Sequence, residues 1–260
     1  MPDLAEAIAR FSREADNHAD PDREAFVEDF WRWIGSEAGL PERFIRSIAA
    51  SALDSPAFIL ELLAVLQQDP FTYRLVDKQH ALPLDYEPGD LVPLRTGRGY
   101  RLSRDGDMLR GIAEEALHEM AAAAAADGIV LVVGSAYRSA ARQAEIYAWQ
   151  VRTFGQETAD RQSARPGHSQ HQLGMVVDFS PIDDSFALTP ASEWLVRNAS
   201  RFGWSLSYPD GYEHITGYRW ESWHYRYVGR DLAVFIDTYF GGIQQFALQF
   251  INTWLQQDEG

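Results

Sequence analysis

The chain has no cysteine among its 260 residues, which excludes disulfide frameworks and thiolate-bound metals and leaves the redox compartment open. Positive charge is scarce: 23 Lys and Arg stand against 38 Asp and Glu, for a formal charge of −15. Nucleic acid, which is held by Lys and Arg neutralising phosphates, is therefore not an expected partner, and neither is an anionic lipid surface. No stretch approaches the roughly 18 apolar residues that a membrane-spanning helix needs. The opening residues Met1-Pro2-Asp3-Leu4-Ala5-Glu6 are acidic where an export signal would be basic and then apolar, so no export signal is visible. The helical zinc-protease motif H-E-x-x-H is missing as well, and no internal repeat is apparent.

What is present includes two imidazoles and two carboxylates in a suggestive order: His171, Asp178, Glu221 and His224. A catalytic zinc typically has three protein ligands of this kind and a fourth position open to water. Two neutral ligands and one anionic one leave the ion net positive, and such an ion brings the pKa of water down to about 7. His171, Asp178 and His224 are the expected ligands, and Glu221 is the expected proton carrier, a carboxylate beside the metal but not bonded to it. Trp223 to Val228 alternates like a strand. Positions three apart on a strand face opposite sides, so Glu221 must lie in a bend before it. Gly174 and then Met175-Val176-Val177 suggest a loop that carries His171 into a strand bearing Asp178.

Four ordered segments carry a wider likeness: Gly134-Ser135-Ala136-Tyr137-Arg138-Ser139 with Gln143; Ser169-x-His171-x-x-Gly174-x-x-x-Asp178; Tyr208-Pro209 with Ile215-Thr216-Gly217-Tyr218; and Glu221-Ser222-Trp223-His224-Tyr225-Arg226-Tyr227-Val228-Gly229. Upstream, Leu75-Val76-Asp77-Lys78 and Leu82-Pro83-Leu84-Asp85-Tyr86 extend it, so that it covers roughly residues 74 to 237. The chain resembles the D-alanyl-D-alanine carboxypeptidases of the vancomycin-resistance type and their L,D-carboxypeptidase relatives, whose zinc fold is shared with lysostaphin-type enzymes and the hedgehog signalling domain.

The resemblance implies one zinc ion per chain on His171, Asp178 and His224, with Glu221 as base. It implies that Arg138 grips the substrate's terminal carboxylate or polarises the scissile carbonyl, a role suited to a planar, permanently charged guanidinium. Gln143, Ser169, Tyr208 and Trp223 would line the substrate groove. The substrate would be a peptidoglycan stem peptide or precursor losing its terminal D-alanine by D,D or L,D cleavage. Endopeptidase action and a non-catalytic, zinc-stabilised binding module are the alternatives. Ala136, Ala140, Ser207 and Ser222 depart from the residues common in the family. A cell-wall substrate points to the envelope or periplasm, whereas the lack of a leader keeps a cytoplasmic site open.

The rest of the chain reads as a frame for this site. Residues 1–72 are expected to be helical: Leu4, Ile8 and Phe11, then Phe26, Phe30, Trp33 and Ile34, recur at helical spacing, and Ser55-Pro56 offers a cap followed by proline at the first helical position. After Asp69-Pro70, an extended arm is expected to about Arg101. A helix over 105–127 should end at Gly128 in a left-handed cap, followed by a strand over 129–133, a helix over 139–154 closed by Gly155, and a polar loop over 156–168. Thr189-Pro190 should open a helix to Arg201, and 204–208 and 223–228 should pair as antiparallel strands. The expected class is α+β: a small, mostly antiparallel sheet with the zinc site on its face, flanked by helices and preceded by an all-helical region. The expected division is 1–72, 73–237 and 238–260, with the last segment packing back on the first.

Overall fold

A computed structural model of the chain describes residues 32, 36–54 and 57–257. The stripe Leu4 to Ile34 and the Ser55-Pro56 cap lie outside the described residues. In chain order the elements are α1 (Glu42–Asp54), α2 (Ala57–Leu66), β1 (Leu91–Pro93), β2 (Arg101–Leu102), β3 (Met108–Arg110), α3 (Gly111–Ala126), β4 (Val132–Ser135), α4 (Ala140–Phe154), α5 (Gln156–Gln162), β5 (Val176–Phe179), α6 (Pro190–Asn198), β6 (Trp204–Leu206), α7 (Glu213–Thr216), β7 (His224–Tyr227), α8 (Arg230–Phe240) and α9 (Gln244–Gln257).

Local chemistry sets most of the boundaries. Ser139 and Thr189 cap α4 and α6 by accepting from Arg142 N and Ser192 N at 3.2 and 3.1 Å, satisfying donors that a helix start leaves free. Gly128 closes α3 at φ 78°, its N–H donating to Ala125 O at 3.0 Å. The helix expected from residue 105 begins instead at Gly111, because Met108–Arg110 pairs antiparallel with Leu91–Pro93. Part of the loop expected over 156–168 is α5. It carries no apolar stripe, but its Asp160 accepts from Tyr147 at 2.6 Å and from Arg165 at 3.1 Å, and Ala159 is fully buried.

The main sheet runs β2-β4-β5-β7-β6. Only β2 and β4 are parallel; the other three pairings are antiparallel. One face is apolar: Val133, Val177, Phe179, Trp204, Tyr225 and Tyr227 pack with Leu117 and Met120 of α3. The other face is polar and holds the row Ser135, Asp178 and His224, which are direct cross-strand partners. Strand alternation explains this for β5 and β7. On β4 it does not suffice, since Val133 pairs with Phe179 and Ser135 with Asp178. A bulge at Gly134 supplies the extra residue that shifts the phase.

A second core joins α1, α2, α8 and α9. Phe58 sits at its centre, with ring centroids 5.2 Å from Phe235, 4.8 Å from Tyr239 and 5.9 Å from Phe250. Burying an aromatic of this kind contributes about 1.5–3 kcal/mol. Leu232, Phe235 and Ile236 of α8 belong to this core too, although the sequence places them with the central region. The arm of residues 67–90 is tied to the sheet by Arg226, wholly buried on the polar face, whose Nη2 donates to the carbonyls of Phe71, Thr72 and Arg74 at 2.8–3.1 Å.

Candidate metal centre

Three short elements converge on the polar face. His171 rides a 3-10 turn, Gln170–Leu173, capped in front by Ser169, whose Oγ accepts from His171 N at 3.3 Å, and behind by Gly174 in the left-handed conformation at φ 68°. A Cβ at Gly174 would lie 2.9 Å from Leu91 Cδ2 and 3.1 Å from Arg110 Cγ, so close packing and backbone both call for glycine. Asp178 sits on β5, directly across from His224 on β7. Glu221 lies in the turn before β7, closed by His224 N donating to Glu221 O at 3.2 Å. That is the bend the strand geometry requires.

One atom each of His171, Asp178 and His224 lies within 4.8 Å of the others. His171 turns Nδ1 to Ala136 O at 2.7 Å and presents Nε2 to Asp178 Oδ2 at 3.1 Å. His224 presents its other nitrogen, Nδ1, to Asp178 Oδ1 at 3.0 Å, while its Nε2 lies 3.4 Å from Gln170 Oε1. Burial holds His171 down at about 4, so this imidazole is neutral at pH 7. Burial alone would raise Asp178, but the facing imidazoles outweigh it and hold the carboxyl well below its ordinary range.

An ionised carboxylate against neutral imidazole is the protonation state a metal demands of its ligands. Asp178 Oδ1 is buried and accepts no hydrogen bond. An anionic oxygen left so is costly in a protein interior, and a divalent cation offsets that cost. The donor set therefore fits one zinc ion.

Glu221 Oε2 lies 3.5 Å from His224 Nδ1, with 13% of its side chain exposed. Burial, and then the charge of Asp178, pushes its carboxyl well above the usual range; Arg138 and Arg219 pull the other way. Arg138 Nη2 is 3.8 Å from Asp178 Oδ2. The guanidinium also donates to Gln143 Oε1 at 2.9 Å and Ser135 Oγ at 3.1 Å, and its backbone N–H donates to His171 O at 3.2 Å.

A cleft of about 330 Å³ opens over the cluster, and Ser169, Tyr208 and Trp223 line it together with Arg138 and Glu221. The Tyr208 ring stands 4.7 Å from that of His224. Gln143, expected on the groove wall, does not line it. Its carbonyl is taken by Arg138, and its amide donates to Ser163 Oγ at 3.1 Å and Ala164 O at 2.6 Å, so it braces Arg138 from behind. His168 stays outside the cluster, with Nδ1 on Asp77 O at 2.8 Å. The sequence reading missed Gln170, Ser207 and Arg226, single polar residues whose burial no local pattern announces.

Residues 106–230 match the VanY family, described as D-alanyl-D-alanine carboxypeptidase. A solved structure of the vancomycin-resistance D,D-pentapeptidase VanY in complex with Zn(II) is 31% identical with a TM-score of 0.58, the match covering 68% of this chain and 99% of that one. The chain belongs to the VanY family. A solved structure of the LdcB LD-carboxypeptidase is 34% identical with a TM-score of 0.60 over 68% of this chain and 89% of that one. YodJ of Bacillus subtilis (strain 168) is 36% identical over 177 residues, 66% of this chain, and the chain spans 65% of YodJ's length. With Zn(II) present in a VanY structure, zinc is the metal that this family membership and the local donor chemistry jointly select.

Proposed function

We propose that this VanY-family chain is a zinc metallocarboxypeptidase that removes the terminal D-alanine from peptidoglycan stem peptides or their precursors. The observation that carries the reading is Glu221, a mostly buried carboxyl 3.5 Å from His224 Nδ1, beside the three converging ligand atoms. A site that only needed metal for stability has no use for it.

In this mechanism His171 Nε2, an Asp178 carboxylate oxygen and His224 Nδ1 would hold the zinc. When bound, the ion supplies a positive charge that acidifies water near neutral pH and polarises a carbonyl oxygen. Glu221 takes the proton from the attacking water and passes it to the leaving amine. Its raised proton affinity suits both halves of that transfer. Arg138, braced by Gln143 and Ser135, keeps donors free for the peptide's terminal carboxylate or for the oxygen on which charge develops. Ser169, Tyr208 and Trp223 form the walls that orient the peptide end. We read α1 and α2, in the segment 1–72, and the C-terminal segment from 238 as a frame beside the central region 73–237, and we place the activity in the cell envelope, where such substrates lie.

Incubating the zinc-loaded protein with defined penta- and tetrapeptide stems tests the reading. Release of D-alanine is expected, and the stem that yields it distinguishes D,D from L,D cleavage. An internal cut would make the protein an endopeptidase instead. Tight binding without hydrolysis would leave only a binding module and overturn the proposal.

A further inference from the structure

Helix α9 lies outside the span 106–230 that matches the family, yet its first residue is tied by side chains to a metal-ligand histidine. Gln244 Nε2 donates to Ser205 O at 3.3 Å, which turns Gln244 Oε1 toward Ser207 Oγ at 3.3 Å. The single Ser207 hydroxyl proton is shared between two acceptors, mainly Gln170 Oε1 at 2.8 Å and more weakly Gln244 Oε1 at 3.3 Å. The same Gln170 oxygen faces His224 Nε2 at 3.4 Å. All four side chains are sealed from solvent, at 1–4% exposure. Ser207 is also held to the ligand strand directly, its backbone N–H donating to His224 O at 3.2 Å.

We propose that Gln244, Ser207 and Gln170 form a positioning relay that fixes the tautomer and ring orientation of His224. A carbonyl oxygen can only accept, so the imidazole nitrogen facing Gln170 must carry the proton, and the lone pair is left on Nδ1, facing Asp178. The other histidine is fixed in the opposite sense by the main chain, with Nδ1–H on Ala136 O at 2.7 Å and Nε2 turned inward. The two imidazoles thus use different nitrogens, and only one owes its orientation to side chains. That one is reached from the C-terminal helix, so the helical core helps to set the ligand geometry. Outer partners of ligating histidines of this kind tune metal affinity by about 10–100-fold.

The inference rests on the metal reading of the site and not on its substrate. Its test is zinc affinity, measured by competition with a chromophoric chelator, together with the ring 15N shifts of His224 in the full chain. Gln170→Leu should weaken zinc binding about 10–100-fold and mix the His224 tautomers. Gln170→Glu, which still only accepts, should bind within a few-fold of wild type. Gln244→Leu should weaken zinc less than Gln170→Leu does and shift the same 15N signals. The relay is overturned if both leucine variants bind zinc like wild type with unchanged His224 shifts, or if Gln170→Glu loses as much affinity as Gln170→Leu. Should Gln170→Leu fail to fold, Gln170→Glu and Gln244→Leu decide alone. A wild-type protein that takes up no zinc would refute the metal reading itself, a result distinct from failure of the relay.

Discussion

The helical core around Phe58 and the row Ser135, Asp178 and His224 are both closed to solvent, but they are held in opposite ways. The first is a set of tilted and edge-on aromatic rings, 4.8–5.9 Å apart around Phe58, whose attraction is non-directional and spread over many contacts. The second is a handful of polar atoms at fixed angles: Asp178 Oδ2 faces His171 Nε2 at 3.1 Å, and Asp178 Oδ1 faces His224 Nδ1 at 3.0 Å. Loss in the first should be graded. In the second a single deletion leaves another group buried and unpaired, which costs more than the missing bond itself.

The sharpest break in that contrast comes at the ligands. His171→Ala or Asp178→Ala should abolish zinc uptake and drop peptide hydrolysis to background, and a chelator should do the same to wild type; metal content and D-alanine release check both. Next, Glu221→Ala should keep one zinc per chain while kcat falls about 10²–10⁴-fold, the range for a lost general acid–base. Unchanged turnover would refute the proton-carrier role. In the other region, Phe58→Ala should cost about 3–5 kcal/mol of stability in denaturant unfolding, yet leave the zinc stoichiometry of the folded fraction at one. Zinc loss there would show that the two regions fail together.

A smaller effect separates the regions by pH in the metal-free protein. Burial raises the Glu221 carboxyl well above its ordinary range. A group raised in the folded state gives its full stability below its unfolded pKa, about 4.3, and loses it as pH climbs through the folded value. Glu221→Gln has nothing to ionise. Its Tm advantage over wild type should therefore be nil at about pH 4 and grow with pH, whereas Phe58→Ala should show an offset without that trend. A flat Glu221→Gln difference in thermal melts would contradict a buried acid.

Legibility in the sequence follows the same divide. Apolar repetition leaves a mark, so the aromatic tail of residues 230–257, the helix ending in the alanine run, and the strands bearing Asp178 and His224 could be placed from the sequence. The four residues His171, Asp178, Glu221 and His224 stood out because two of only seven histidines fall in order with carboxylates that match them chemically. Helix α5 left no such mark, since hydrogen bonds to Asp160 hold it rather than a stripe. Gln143 could be tied to the site but not turned correctly, because whether an amide faces substrate or braces an arginine depends on what stands behind it. Gln170 and Ser207 belong to a network spread over some 75 residues of chain, and no local window contains it.

The bulge at Gly134 sets more than the shape of one strand. Before it, β4 is in step with the hydrocarbon side of the sheet; after it, the same strand is in step with the cleft, and Arg138 follows three residues beyond Ser135. Were the strand to run on without the bulge, Gly134 would stand opposite Asp178 and alternation would turn Ser135 and the arginine loop to the oily layer beneath. A methyl group there would come within 2.9 Å of Ile182 Cδ1, the end of a half-exposed side chain that would have to turn aside. A residue with no side chain thus acts as the switch that decides which side of the sheet is reactive.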